Sequence, residues 1–156
     1  LGVFILKLRF FFKNQCMEHF PTKIIVPVAW GDMDAFGHVN NVMYFRYFES
    51  ARIKYFEAID FQHFDINDGI GPILAHTNCQ FKKPVTYPDQ LTVVVRVKSI
   101  GRTSMVMEHI IVSDKLGEAA KGEGVVVCLN YKTGQTVAIP DALRKAIEKH
   151  EQKSFD

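Results

Sequence analysis

Cysteine is scarce in this chain. Cys16, Cys79 and Cys128 stand far apart, are odd in number and form no CxxC pair. Neither a disulfide framework nor a zinc-type spacing is present, so reduced thiols in a cytoplasmic protein are the expectation. Net charge is also low, at +2, and no Lys/Arg run with interleaved aromatics occurs. The electrostatic footprint of a nucleic-acid binder is therefore missing. Long apolar runs are lacking too. The N-terminal LGVFILKLRFFF is broken by Lys7 and Arg9, is too short to span a bilayer, and has neither the charged start nor the small-residue cleavage site of a secretory signal. Residues 1–20 are set apart as an extension, either an added edge strand or an unordered lead. Met17 is a second candidate start, which would leave residues 1–16 outside the native protein.

What remains is ordinary globular material, 47% hydrophobic and 23% charged over 156 residues. That is one domain's worth, long enough to bury a core, and residues 21–156 read as that single domain. Residues 23–30 (KIIVPVAW) read as a short strand, with Pro27 marking an edge or a bulge. A helix is expected from Asn41 to about Ile59, capped by Asn40 or Asn41 and free of Gly and Pro. Tyr44, Phe48, Ala51, Tyr55 and Ala58 recur at three- and four-residue spacing. Phe45, Ile53, Phe56 and Ile59 widen the stripe, so coverage on more than one side is expected.

After a loop at 60–70 come strands. Residues 73–83 alternate, with Ile73, Ala75, Thr77, Cys79 and Phe81 facing one way. Residues 90–100 and 103–113 form a hairpin turned at Gly101 and Arg102. DKLG (114–117) turns into 118–130, where Lys121 and Glu123 should face solvent. Ala120, Gly122 and Gly124 should face inward and let the helix lie close. KTGQ (132–135) leads to a last short strand, and Pro140-Asp141 opens an amphipathic C-terminal helix. One apolar helix against one strongly twisted antiparallel sheet is the economical packing, an α+β arrangement.

The polar loop before the long helix, WGDMDAFGHVNN, concentrates Asp32, Asp34, His38, Asn40 and Asn41 within ten residues. Reactive groups at a helix N-terminus sit where free backbone N–H groups can hold developing negative charge. This loop, the Glu49–Ala51–Arg52 segment after it, KKPVTYPDQL (82–91) and KTGQTVAIPDAL (132–143) together resemble the hotdog-fold thioesterases of the 4-hydroxybenzoyl-CoA thioesterase type. The match runs over roughly residues 22–145.

The resemblance implies a hotdog fold, a long central helix wrapped by a strongly twisted antiparallel sheet of about five strands. It also implies hydrolysis of acyl-CoA to free acid and CoA, with coenzyme A belonging to the substrate and no separate cofactor or metal. Asp34 takes the position of the family's catalytic carboxylate, as general base or as nucleophile. The backbone N–H near Asn41 takes the oxyanion position, where one such donor is worth about 3 kcal/mol of barrier. His38 would orient the loop or a water. Asp32 would serve structure, by pairing with Arg52 or capping a turn, and Glu49 would pair with Arg52 on the helix surface or meet another subunit. Arg102, with Thr103 and Ser104, matches a CoA-contacting position, and Lys82 and Lys83 are further candidates for the phosphates. Tyr44, Tyr47 and Phe48 would line the acyl chain. The resemblance further implies a homodimer or homotetramer.

Relatives acting on acyl carrier protein pair a His with an Asn two residues after the Asp. Phe36 stands at that Asn position, so a carrier-protein thioesterase is an alternative with an incomplete motif. A non-catalytic hotdog module binding an acyl thioester or a protein partner is another, because one fold hosts many functions. A D-x-D phosphatase is excluded by the absence of alternating βα units and of a glycine-rich phosphate loop.

Overall fold

The computed structural model describes residues 17–61 and 69–155. The expectations for residues 1–16, and for a short helical turn within 62–68, lie outside the described residues. Strand β1 (Thr22–Pro27) is followed by a single 3-10 turn (Trp30–Asp32) and helix α1 (Asn41–Ala58). Strands β2 (Ile70–Thr77), β3 (Gln80–Phe81), β4 (Gln90–Ile100), β5 (Ser104–Ser113), β6 (Gly117–Asn130) and β7 (Gln135–Thr136) come next, then helix α2 (Asp141–Glu151).

Five long strands form one sheet in the order β1-β4-β5-β6-β2, and the two-residue strands β3 and β7 both pair with β6. Every pairing is antiparallel. The sheet curls about α1, which is the hotdog arrangement expected from the sequence.

Helix α1 buries Tyr44, Tyr47, Phe48, Ala51, Arg52, Tyr55 and Phe56, a stripe at three- and four-residue spacing. These side chains join Leu91, Val93, Val95 and Val97 of β4, Met105, Met107 and Ile111 of β5, and Val126 and Cys128 of β6 in one core. The helix is covered along this one stripe within the chain, not on several sides as expected. Its outer face carries the ion pairs Arg46–Glu49 and Lys54–Glu57, both at 3.0 Å and three residues apart. Gly122 explains how closely helix and sheet approach. A Cβ there would lie 2.2 Å from the Asn78 carbonyl oxygen and 2.7 Å from Cε2 of Phe48. The small inward residues of 118–130 thus do what their pattern suggests, while Lys121 and Glu123 point outward to ion pairs with Glu108 and Lys98.

Two strand expectations need correction. Residues 73–83 are not one alternating strand. The register of β2 shifts between Leu74 and His76, and the chain leaves the ladder at Asn78 and Cys79 before β3. A bulge breaks the period of two, so Ile73 and Phe81 do not share one continuous strand face, and both are exposed, as is Leu74. Trp30 likewise belongs to the 3-10 turn and not to β1, and it is exposed against Tyr87 in an edge-on pair. On the outer face of the hairpin, Met17 and Phe20 cover Val94, Ile110 and Val112. Arg96 lies 4.7 Å from the centroid of the Phe20 ring and bonds Glu108 through Nε at 2.7 Å.

Candidate active site

The loop between the 3-10 turn and α1 is a small closed hairpin. Met33 and Val39 form a β-bridge, the Asp34 N–H donates to the His38 carbonyl at 2.9 Å, and the Gly37 N–H donates to the Asp34 carbonyl at 3.0 Å. Gly37 adopts φ +78°, which a side chain would strain. The far stem is tied to the 85–89 segment, Val39 N–H to the Val85 carbonyl at 2.8 Å. Asn40 then caps α1, its side chain accepting from the Val42 N–H at 3.0 Å. The sequence allowed Asn40 or Asn41 as the cap, and the structure selects Asn40.

Asp34, His38, Val39, Asn41, Tyr44, Phe81, Lys82, Lys83 and Pro84 line an open cleft of about 330 Å³. Oδ1 of Asp34 accepts from the Phe36 N–H at 2.9 Å, while Oδ2 accepts no hydrogen bond among the described residues. The Asn41 N–H, first in the helix, also has no acceptor among them, as the geometry of a helix start dictates. A half-buried carboxylate with one free oxygen therefore shares a cleft with a free backbone donor at the positive end of an eighteen-residue helix. The imidazole of His38 is exposed at the same mouth, and Phe36 at the loop tip is 87% exposed.

The remaining candidates separate. Tyr44 is in the cleft wall, edge-on to Phe81 at 5.0 Å. Burial raises its hydroxyl pKa, opposed by a hydrogen bond with the Val85 backbone. Phe81 was not among the site residues read from sequence, and its place in an alternating run was the signal available. Lys82 and Lys83 reach the cleft but are held within the chain, Lys82 by Glu118 and Lys83 by the Leu116 carbonyl. Tyr47 is not in the cleft. It is buried, and its hydroxyl donates to Oδ2 of Asp32 at 2.8 Å. Burial first, and then the Asp32 carboxylate, push its pKa up. Phe48 is likewise core, stacked on His109 with ring centroids 4.8 Å apart.

Asp32 caps the 3-10 turn through the Ala29 N–H at 2.9 Å and does not meet Arg52. Glu49 makes its ion pair with Arg46 on the exposed face at 3.0 Å, and its charge also acts on Arg52, which points inward. Arg102, Thr103 and Ser104 lie at the opposite end of the β4–β5 hairpin from Asp34. The Asp34 loop borders the segment that leads into Gln90, where the Val28 N–H donates to the Asp89 carbonyl, and Arg102 follows Ile100. The length of β4 separates them, roughly 30 Å at an ordinary strand rise. Among the described residues no three His, Cys, Asp or Glu side chains come together to hold a metal ion, and no helix is long and apolar enough to cross a membrane.

Residues 28–147 match the family described as the thioesterase-like superfamily. A crystal structure of a thioesterase from Thermus thermophilus, complexed with coenzyme A and zinc, is similar with a TM-score of 0.79 and 34% sequence identity. That likeness covers 89% of this chain and all of the other. Among curated proteins, the uncharacterized Bacillus subtilis protein YsmA is 27% identical over 78% of this chain and 82% of its own length. The long-chain acyl-CoA thioesterase FadM of Escherichia coli is 24% identical over 74% of this chain and 89% of its own.

Proposed function

The chain belongs to the thioesterase-like superfamily, and on that premise we propose that it hydrolyses acyl-CoA to free acid and CoA with Asp34 as the reacting carboxylate. The observation that carries this reading is the pairing, in one cleft, of the free Oδ2 of Asp34 with the unbonded N–H of Asn41. The thioester carbonyl oxygen would accept from that N–H, where the helix start favours the charge that develops on it. As general base, Asp34 takes a proton from water while the water oxygen bonds to the carbonyl carbon. The C–S bond then breaks, and the proton passes to the CoA thiolate. As nucleophile, the same oxygen would attack the carbon and expel the CoA thiolate as the C–S bond breaks. Water would then open the anhydride, regenerating the carboxylate, releasing the acid and giving a proton to the thiolate. Both routes use one oxygen of Asp34 and build negative charge on the same thioester oxygen. His38 stands at the cleft mouth, where it can hold the water.

The acyl group would lie along Tyr44 and Phe81, which form the apolar wall beside Asp34. Arg102 is too far along β4 to serve a ligand held at Asp34 of the same chain, so it would reach a CoA phosphate from the second copy of a homodimer. The exposed Ile73 and Leu74 on edge strand β2 suit such pairing. The likeness to thioesterases named for coenzyme A and for long-chain acyl-CoA supports the CoA ester as substrate. The test is a panel of acyl-CoAs, short, long and aromatic, with thiol release read by DTNB. Turnover on part of the panel is expected. No turnover on any member would sink the enzyme reading and leave a hotdog binding module.

A further inference from the structure

We infer that Asp32 and Tyr47 are positioning residues for Asp34, a brace that ties the catalytic loop to the middle of α1. The inference rests on Asp34 being the reacting carboxylate. Neither Asp34 nor His38 is fixed to the body of the fold by its own side chain. Asp34 bonds only the Phe36 N–H of its own loop, and no side-chain bond of His38 is found among the described residues. Their aim is set by the two stems of the hairpin.

One stem, at Val39, is held by the Val85 carbonyl. The other is held by Asp32, which makes four bonds in three directions. Its Oδ2 accepts both the Ala29 N–H at 2.9 Å and the Tyr47 hydroxyl at 2.8 Å. Its N–H donates to the Ala29 carbonyl at 3.1 Å, and its carbonyl accepts from the Asn40 N–H at 2.8 Å. Asp32 thus joins the residue before the 3-10 turn, the cap residue of α1 and a side chain almost two turns into α1. Tyr47 is the only one of these contacts that reaches the core. Its ring is packed among buried residues, which makes its hydroxyl a fixed point. Small displacements of a reacting group cost rate steeply, about a hundredfold for an ångström.

The bonding also shows what the brace does not need. A single oxygen of Asp32 accepts both side-chain bonds, and Oδ1 has no partner among the described residues. An amide oxygen in the same place accepts the same two hydrogens, so the negative charge is dispensable for positioning. A second catalytic carboxylate would require it.

The full chain is tested as wild type, Tyr47→Phe, Asp32→Asn and Asp32→Ala. Tyr47→Phe keeps the ring and removes the bond, and kcat should fall about tenfold with KM within about twofold. Asp32→Ala should lose more, and Asp32→Asn should restore most of the rate with the acid limb of the pH profile in place. A Tyr47→Phe enzyme with wild-type kcat, or an Asp32→Asn enzyme as dead as one lacking Asp34, overturns the brace. Amide hydrogen exchange gives a readout independent of turnover. Exchange at Ala29, Asn40 and Asp34 should quicken in Tyr47→Phe and stay slow in Asp32→Asn. If wild type hydrolyses no thioester, the reading of Asp34 fails by itself, and the exchange pattern alone decides the brace. Unchanged protection in Tyr47→Phe refutes it.

Discussion

Two of the places where polar groups meet helix α1 are opposites. At its N-terminus Asp34, His38 and the Asn41 N–H face an open cleft with hydrogen-bonding capacity to spare. Beneath its middle, His109 of β5 is 1% exposed, lies against Phe48, and has no hydrogen-bond partner for either ring nitrogen among the described residues. Arg52 is buried at 8% on the same stripe of the helix. Unused capacity at the open end can be spent on a ligand. In the sealed region it is a standing cost, because a buried polar group without a partner forfeits its hydration. The first place should therefore govern rate and not stability, and the second stability and not rate.

Asp34→Ala is the severest test. Among the described residues it removes the only carboxylate lining the cleft, so kcat on acyl-CoA should fall by about a thousandfold or more, as for other essential acid–base or nucleophilic groups. The melting temperature should hardly move, since the side chain bonds only its own loop. A variant that keeps its rate, or one that loses its fold, would break the contrast.

His109 makes the reciprocal case. Burial first, and then the nearby Arg52 cation, depress its pKa to about 3, with Glu108 opposing. An unfolded histidine titrates near 6.5. Between those values the unfolded chain binds a proton that the folded chain refuses, so stability falls as pH drops below about 6.5. The slope from this group is at most about 1.4 kcal/mol per pH unit, and above 6.5 it contributes none. His109→Leu should narrow the stability difference between pH 6.5 and pH 5 by about 2 kcal/mol in urea unfolding, with kcat near wild type. A rate loss approaching that of Asp34→Ala would place His109 in the chemistry and erase the distinction.

Arg102 asks whether the open region extends past one chain. If it serves a CoA phosphate from a second copy, Arg102→Ala should raise KM for CoA esters about fivefold, the scale of an exposed charged contact. Truncated pantetheine esters should be nearly unaffected. Equal effects on both would remove its phosphate role.

What was legible in the sequence follows the same division. The order of elements, α1 from Asn41, the inward glycines of β6 and the cluster about Asp34 were all readable, because each is local and periodic or carried by a contiguous motif. The side chains that change role did so through contacts between distant segments. Tyr47 has the spacing of a core or lining residue, and nothing in the sequence shows that Asp32, fifteen residues away, accepts its hydroxyl. The bulge in β2 was hidden because 73–83 alternate well on paper, whereas its register is set by pairing with β6. The distance between Arg102 and Asp34 is likewise set by the length of β4, which the motif around Arg102 does not show.

Asn40, at the open end, bears on both rate and stability and gives the finest test. Its side chain caps α1 through the Val42 N–H, and its own N–H holds Asp32. Asn40→Ala should cost about 1 kcal/mol, as for other N-caps, and should lower kcat modestly by loosening the turn that presents the Asn41 N–H. Asn40→Asp separates the two effects. Aspartate caps as well as asparagine and favours the helix dipole, so stability should be kept. It also sets a negative charge beside the position where the thioester oxygen becomes negative, so kcat should fall further than in Asn40→Ala. A stable Asn40→Asp enzyme with an undiminished rate would mean that the oxyanion forms elsewhere, and the helix N-terminus would keep only its structural role.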